Sequence, residues 1–174
     1  MSRPPRIALV GFMGSGKSTV GRDLAARLGY AFVDSDEAIR DRTGRTPAEI
    51  FRDDGEPAFR AIEAEVLFRL IRVERQVLAT GGGAFITAPI AEALLAGSRV
   101  VHLHCDFEEA YRRSVGAGGR PLLDAGKTAA WTLYQERKDK YSRAHVEIDT
   151  THRQPAEVVD EVIRLLDETS RTQP

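Results

Sequence analysis

Short apolar runs alternate along this chain with longer segments in which apolar residues recur at helical spacing. The short runs predict buried strands at 7–10, 31–33, 76–80, 99–104 and 146–149. The longer segments predict helices at 17–28, 37–41, 59–73, 88–95, 107–114, 128–143 and 155–166. A further helix is predicted after Thr46, because Thr46 and Glu49 have the spacing of a capping box around Pro47. This alternation favours an α/β three-layer sandwich on a parallel sheet.

Two stretches lack any helical or strand period. Residues 115–127 contain four glycines and one proline. Because long structureless loops in compact domains are usually lids or disordered segments, we predict a mobile lid there. The tail, 169–174, is predicted to be frayed. The sequence contains no repeat, linker or second pattern, so residues 1–174 are expected to form one domain.

The composition of the chain excludes several classes of function. The 25 basic and 26 acidic residues give a net charge of −1, so no basic excess indicates a nucleic-acid partner. No apolar run approaches the roughly 20 residues of a membrane helix, and the start of the chain does not have the form of a signal peptide. Cys105 is the one cysteine, which excludes an internal disulfide and fits a reducing cytoplasm. An anionic ligand must therefore be met by local positive groups.

The strongest motif follows the first predicted strand. Residues 11–18 read Gly-Phe-Met-Gly-Ser-Gly-Lys-Ser and fit the phosphate-binding pattern G-x-x-x-x-G-K-[ST], with a strand before and a helix after. The loop's backbone N–H groups and the helix amino end would hold phosphates. Lys17 would neutralise the β- and γ-phosphates, and Ser18 would bind Mg²⁺. The motif indicates a nucleotide and magnesium but leaves the reaction open.

The second and third strands end in residues suited to an acceptor. Asp34 and Asp36 follow the second strand, two residues apart, so in an extended chain their side chains would point the same way. One would hold magnesium and the other a substrate hydroxyl, although Asp36 is equally well placed to be a helix N-cap. Gly81–Gly83 follow the third strand, and residues without side chains let a ligand touch the backbone, although a plain tight turn would also account for them.

These elements, in this order, resemble the shikimate kinase family over residues 7–166. The generic phosphate loop is joined by Asp34-Ser35-Asp36, the segment 55–63 (Gly-Glu-Pro-Ala-Phe-Arg-Ala-Ile-Glu), the triple glycine in 80–84, the segment 120–123 (Arg-Pro-Leu-Leu) and Arg137. The segment 55–63 followed by the triple glycine is the most specific part. The resemblance implies a nucleoside-monophosphate-kinase-like fold with five parallel strands. It also implies transfer of the ATP γ-phosphoryl group to the 3-hydroxyl of shikimate, in aromatic amino-acid biosynthesis.

The resemblance also implies roles for individual residues. Lys17, Asp36 and Arg120 are the expected catalytic residues, with Asp36 helping the hydroxyl lose its proton and Arg120 reaching the ATP phosphates from the lid. Magnesium is assigned to Ser18 and Asp34. The expected shikimate-binding residues are Asp36, Arg60, Gly82, Gly83 and Arg137. The expected ATP-binding residues are Gly14, Ser15, Gly16, Lys17, Ser18, Thr19, Arg113, Arg120, Arg153 and Gln154, the last two in an adenine-side loop over 151–155.

Two other functions fit parts of the pattern. A gluconate kinase is also a small P-loop kinase with a carboxylate substrate, but Arg60 and the triple glycine favour shikimate. A nucleotide switch without turnover would not need the set of Lys17, Asp34, Asp36 and Arg120, and a guanine-binding Asn-Lys-x-Asp segment is lacking. We expect a cytoplasmic monomer that uses ATP and Mg²⁺.

Overall fold

Five parallel strands form the centre of the protein, in the spatial order β2-β3-β1-β4-β5. The computed structural model describes residues 4–115 and 126–172. The strands are β1 (Arg6–Val10), β2 (Ala31–Asp34), β3 (Gln76–Ala79), β4 (Arg99–His104) and β5 (Val146–Asp149). The register pairs Ala8 of β1 with Leu78 on one side and with Val100 on the other. The predicted five-stranded parallel α/β fold is confirmed.

Helices cover both faces of this sheet. They are α1 (Lys17–Leu28), α2 (Ser35–Thr43), α3 (Pro47–Asp54), α4 (Glu56–Leu70), α5 (Ala88–Gly97), α6 (Phe107–Val115), α7 (Lys127–Lys138) and α8 (Pro155–Thr172). Two short 3₁₀ helices span Ala84–Ile86 and Asp139–Arg143. No helix in the described part of the chain is long and apolar enough to cross a membrane.

The alternation of side chains along β1 builds two hydrophobic cores. Ala8 and Val10 face one core, whereas Ile7 and Leu9 face the other, as the period of two in a strand requires. The first core includes residues of α4, α5, α6 and α7, and the second includes residues of α1 and α8. Because β1 is buried on both sides, the loop that follows it starts from a fixed point.

A third, smaller cluster joins α2, α3 and α4. Ile39, Ile50, Phe59 and Val66 are all buried in it. The capping box predicted at Thr46 is present: Thr46 Oγ1 accepts from Glu49 N at 3.2 Å, and Glu49 Oε2 accepts from Thr46 N at 2.7 Å. The cluster forms a wall beside the ends of β2 and β3.

Several predicted boundaries were wrong. Helix α2 begins at Ser35 rather than residue 37, so Asp34 and Asp36 are not both in extended chain. Helix α4 begins at Glu56 rather than residue 59, because a helix tolerates Pro57 in its first turn. The predicted 128–143 helix is α7 followed by a 3₁₀ turn. Helix α8, predicted to end near residue 166, runs to Thr172, and the fraying of the tail stays a prediction.

The predicted lid falls largely outside the described residues. Its expected ends belong to helices, since Val115 closes α6 and Lys127 opens α7. Residues 116–125, including Arg120, lie outside the described part of the chain. The lid and the single-domain organisation therefore stay predictions.

The capping box predicts a measurable loss of stability. Thr46→Ala should lower the free energy of unfolding by about 1 kcal/mol, because the N–H of Glu49 loses its acceptor. Urea denaturation measures this change. Thr132→Ala is the matched control, since exposed Thr132 lies inside α7 and bonds only to the carbonyl of Thr128. Equal stability of the Thr46 variant and the parent would contradict the role of the cap.

Candidate active site

The loop between β1 and α1 has the shape of a phosphate cradle. Gly14 has φ +78°, and a Cβ there would lie 2.1 Å from the carbonyl oxygen of Ala110, so no other residue fits. Gly16, with φ +96°, begins α1 without any side-chain cap. The N–H groups of the first turn of a helix, and its dipole, favour an anion at this position.

Lys17 and Ser18 extend this cradle toward β2. Lys17 Nζ donates to the carbonyl oxygens of Gly11 and Phe12, each at 2.9 Å, so its ammonium group lies over the loop. Ser18 Oγ donates to Asp34 Oδ2 at 2.6 Å. The structure therefore brings together the two residues predicted to bind magnesium. A hydroxyl and a carboxylate are oxygen ligands of the kind Mg²⁺ prefers, so this pair fits the ion.

The structure does not support the alternative in which Asp36 is the N-cap of a helix. Asp34, not Asp36, is the N-cap of α2, because Asp34 Oδ1 accepts from Asp36 N at 2.9 Å. Asp36 is exposed in the first turn of α2 and lines the cavity. Capping therefore occupies one oxygen of the candidate magnesium ligand and leaves the carboxylate of Asp36 directed to the cavity.

The cavity, of about 470 Å³, runs from the phosphate loop to the ends of β2 and β3. Most of the predicted residues line it. On the phosphate side these are Gly14, Gly16, Lys17, Ser18, Thr19, Asp34 and Arg113. On the acceptor side they are Asp36, Arg60, Gly82, Gly83 and Arg137. One cavity thus joins the candidate nucleotide and acceptor residues.

The triple glycine forms a strip against the charged groups. A Cβ on Gly81 would lie 3.2 Å from Asp36 Oδ1. A Cβ on Gly83 would lie 2.5 Å from Arg60 Nη2. Gly82 packs between the phosphate loop and Arg137, whose Nη1 is 3.8 Å from the position of a Cβ. A side chain on Gly83 would therefore displace the Arg60 guanidinium.

Three buried or half-buried charges surround the acceptor end. Arg60 Nη1 donates to Glu63 Oε2 at 2.6 Å, and Glu63 is only 1% exposed. Burial raises the pKa of Glu63, while Arg60 and then Arg137 oppose that rise. Arg137 is 8% exposed, and burial lowers its pKa. Arg60 is paired with the buried Glu63 carboxylate, and Arg137 adds a second positive charge to this end of the cavity, which therefore favours an anion.

The sequence did not single out the apolar wall or Glu63. The wall consists of Met13, Pro47, Ala48, Phe51 and Phe59. The rings of Phe51 and Phe59 lie 5.9 Å apart, on neighbouring helices. Apolar residues at helical spacing indicate only a buried face, so the pattern could not distinguish a ligand wall from core. Glu63 stands three residues after Arg60, and that helical spacing was an available signal.

A second cavity, of about 420 Å³, adjoins the first on the side of β5. It shares Gly16, Thr19 and Arg113 with the first, and Ser15, Arg153 and Gln154 also line it. The structure therefore places the predicted adenine-side residues together. Arg113 lines both cavities.

Hydrogen bonds hold Arg113 and the β5 loop in place. Arg113 Nε donates to Glu109 Oε1 at 2.7 Å, and Arg113 Nη2 donates to the carbonyl of Thr150 at 3.0 Å. Hydrogen bonds from Arg112 and then from Arg113 lower the pKa of Glu109 to about 2. Thr150 Oγ1 donates to the carbonyl of Ser15 at 3.0 Å, so the loop after β5 is tied to the phosphate loop.

Comparison with known proteins decides the family. The shikimate kinase family model matches residues 13–167. The chain belongs to the shikimate kinase family. A shikimate kinase from Mycobacterium avium is 45% identical over 166 residues, covering 93% of each chain. One from Streptomyces avermitilis is 44% identical over 165 residues, covering 94% of this chain and 96% of the relative.

Solved structures agree with this family. A shikimate kinase from Acinetobacter baumannii, solved in complex with shikimate, has a TM-score of 0.92 and 38% identity over 98% of this chain and 96% of that chain. A gluconokinase from Sinorhizobium meliloti has a TM-score of 0.67 at 20% identity, so it shares the fold alone. Family membership confirms the predicted ATP-dependent kinase activity on shikimate and the use of ATP with Mg²⁺.

Burial of Glu63 predicts an unusual dependence of stability on pH. A carboxyl whose pKa is raised by folding contributes stability below its ordinary pKa, near 4.5, and that contribution is lost as pH rises through the folded pKa. The stability of the parent relative to Glu63→Gln should therefore fall as pH increases above about 4.5, by about 1.4 kcal/mol per unit of pKa rise.

Glu65→Gln, on the same helix, is the control with the opposite sign. The hydrogen bond from Arg42 lowers the pKa of Glu65, so the stability of the parent relative to this variant should be lost as pH falls. Urea denaturation between pH 4 and pH 8 measures both differences. The stability difference between the parent and each variant should change with pH in opposite directions for Glu63→Gln and Glu65→Gln. If both differences changed in the same direction, the burial of a charged Glu63 carboxylate would be contradicted.

Proposed function

We propose that the cavity between the phosphate loop and the ends of β2 and β3 carries out the family's reaction, with the shikimate carboxylate held between Arg60 and Arg137. The observation that supports this most strongly is that the guanidinium groups of Arg60 and Arg137 line one cavity, with a single buried carboxylate, that of Glu63, paired to Arg60. A guanidinium binds a carboxylate with two parallel hydrogen bonds, so this site suits a planar acid group.

Asp36 is the proposed acceptor of the hydroxyl proton. Its carboxylate lies beside Gly81, between the acceptor end and the phosphate loop. A bound 3-hydroxyl would transfer its proton to Asp36 as its oxygen bonds to the γ-phosphorus and the bond to ADP breaks. The backbone N–H groups of Gly82 and Gly83 orient the ring, and the wall at Phe51 and Phe59 excludes water.

The phosphate side supplies positive charge. Lys17 and the amino end of α1 hold the β- and γ-phosphates, and Arg113, Arg153 and Gln154 flank the nucleotide. Ser18 and Asp34 hold Mg²⁺, which neutralises phosphate charge when it is bound. Arg120, outside the described residues, is proposed to reach the transferring group from the lid. The cytoplasmic location and the monomeric state also stay predictions.

An acceptor comparison tests the proposed function. ADP release, measured in a coupled assay, should rise strongly with shikimate, and should stay at the acceptor-free rate with gluconate. Gly83 of the triple glycine packs directly against Arg60, so the site suits a molecule that carries both a ring and a carboxylate. Equal rates with gluconate would favour the broader reading as a sugar-acid kinase. An unchanged rate with either acid would favour a nucleotide-binding module without transfer.

Arg137 gives the sharpest test of the carboxylate site. Arg137→Ala should weaken shikimate binding by about 2–4 kcal/mol and leave ATP binding nearly unchanged, because the desolvated carboxylate loses a charged donor. Arg137→Lys should recover only part, since an ammonium group cannot reproduce the guanidinium geometry. Arg143→Ala, an exposed arginine six residues further along the chain, is the control.

The methyl ester of shikimate completes this test. The ester should be a poor substrate for the parent, and its disadvantage should shrink in Arg137→Ala because the interaction is already missing. Kinetic constants for acid and ester, measured with the parent and the variants, give the comparison. Equal turnover of acid and ester by the parent would exclude the proposed carboxylate site.

A further inference from the structure

Tyr141 touches the acceptor site from behind. It lies in the 3₁₀ turn Asp139–Arg143, is 2% exposed and is not among the cavity-lining residues. Its hydroxyl donates to the carbonyl oxygen of Gly82 at 2.5 Å. This bond joins a rigid side chain to the middle of the glycine strip, the part of the site that has no side chains of its own.

The bond fixes a peptide plane that faces the acceptor. The carbonyl of Gly82 and the N–H of Gly83 belong to one planar trans peptide unit, in which the two groups point in opposite directions. Holding the carbonyl on the Tyr141 side therefore turns the Gly83 N–H to the opposite side of the strip. Glycines have wide conformational freedom, so without such a bond this plane would be free to rotate.

A buried histidine holds the Tyr141 ring. The ring stacks on His102 of β4, with centroids 4.8 Å apart and planes 23° apart. His102 is itself 4% exposed, and its Nδ1 lies 2.8 Å from Glu147 Oε2 on β5. The central sheet, rather than a loop, therefore determines the position of the Tyr141 hydroxyl.

Tyr141 also adjoins the second acceptor element. Arg137 precedes it by one helical turn, and Arg137 Nη1 lies 3.8 Å from the position of a Cβ on Gly82. Burial raises the pKa of Tyr141, and the charge of Arg137 opposes that rise. The phenol therefore keeps its proton at neutral pH and remains a donor. A single buried hydroxyl lies where the glycine strip meets the carboxylate-binding arginine.

We propose that Tyr141 is a positioning residue for shikimate, which acts by holding the Gly82 carbonyl so that the glycine strip and Arg137 keep the geometry the acceptor needs. This inference rests on the proposed function of the cavity. Tyr141 lines neither the first cavity nor the adenine-side cavity, so we expect its effect chiefly on the acceptor.

Tyr141→Phe tests the proposal, because it removes the hydroxyl and keeps the ring on His102. The KM for shikimate should rise about 5- to 30-fold, as expected when a buried carbonyl loses its donor. The KM for ATP should stay within about twofold, and kcat at saturating shikimate should fall less than the KM rises. In combination with Arg137→Ala, the loss of shikimate affinity should be smaller than the product of the two single losses, because both act on one site.

Tyr134→Phe is the matched control. Tyr134 is also buried, and its hydroxyl donates to another backbone carbonyl, that of Cys105, at 3.1 Å. Its removal should cost a similar amount of stability, measured by thermal unfolding, without a change in the KM for shikimate. A KM for shikimate that rises equally in both variants would reduce Tyr141 to a purely structural role and overturn the proposal.

Two further outcomes distinguish a failure of the role proposed for Tyr141 from a failure of the proposed function. If the parent phosphorylates shikimate and Tyr141→Phe keeps the parent KM, the positioning role is wrong and the proposed function stands. If the parent shows no shikimate-dependent transfer, the proposed function is wrong and the role of Tyr141 falls with it. A parallel rise in the KM for ATP would also overturn the inference, because it would indicate general loosening.

Discussion

The buried charges at the acceptor end are the constraint on which the site depends. Taking an ion out of water is costly unless partners compensate it. Glu63 compensates Arg60 at 2.6 Å, but Arg137 is also buried and adds a second positive charge. The proposed carboxylate site would complete the charge balance of this cavity. In that case the buried charges would link the stability of the fold to the choice of substrate.

The parallel sheet makes this arrangement possible. Because parallel strands end at one edge, the phosphate loop after β1, Asp34 after β2 and the glycine strip after β3 converge there. Helix α4 then brings Arg60 and Glu63, and α7 brings Arg137. These groups come from several parts of the chain, but packed strands and helices anchor them, so the site is preorganised before ligands arrive.

Local patterns were enough to predict the strands and the phosphate loop. The strands β1 and β4 are buried on both faces, so their apolar composition was enough to predict them. The glycines of the phosphate loop were visible in the sequence, and Gly11, Gly14 and Gly16 adopt positive φ in the structure. The sequence offered Asp36 as an N-cap, whereas the structure has Asp34 there. Both are good cap residues, and a helix start cannot be placed to within two residues from sequence. The start of α4 was missed because a proline reads as a helix break although the first turn accepts it.

Other parts of the site depend on contacts that no local pattern records. Phe51 and Phe59 look like ordinary core residues in sequence, and only the packing of α3 against α4 turns them toward the cavity. Tyr141 is separated from Gly82 by 59 positions, and its role depends on one hydrogen bond between a turn and the strip. Long-range contacts of this kind follow from the assembled fold.

A crystal structure with ADP and shikimate bound would test the central claim most directly. We expect both carboxylate oxygens to lie within about 3 Å of guanidinium nitrogens from Arg60 and Arg137, and the 3-hydroxyl to lie at hydrogen-bonding distance from Asp36. A carboxylate bound at the phosphate loop, or one that touches neither arginine, would contradict it.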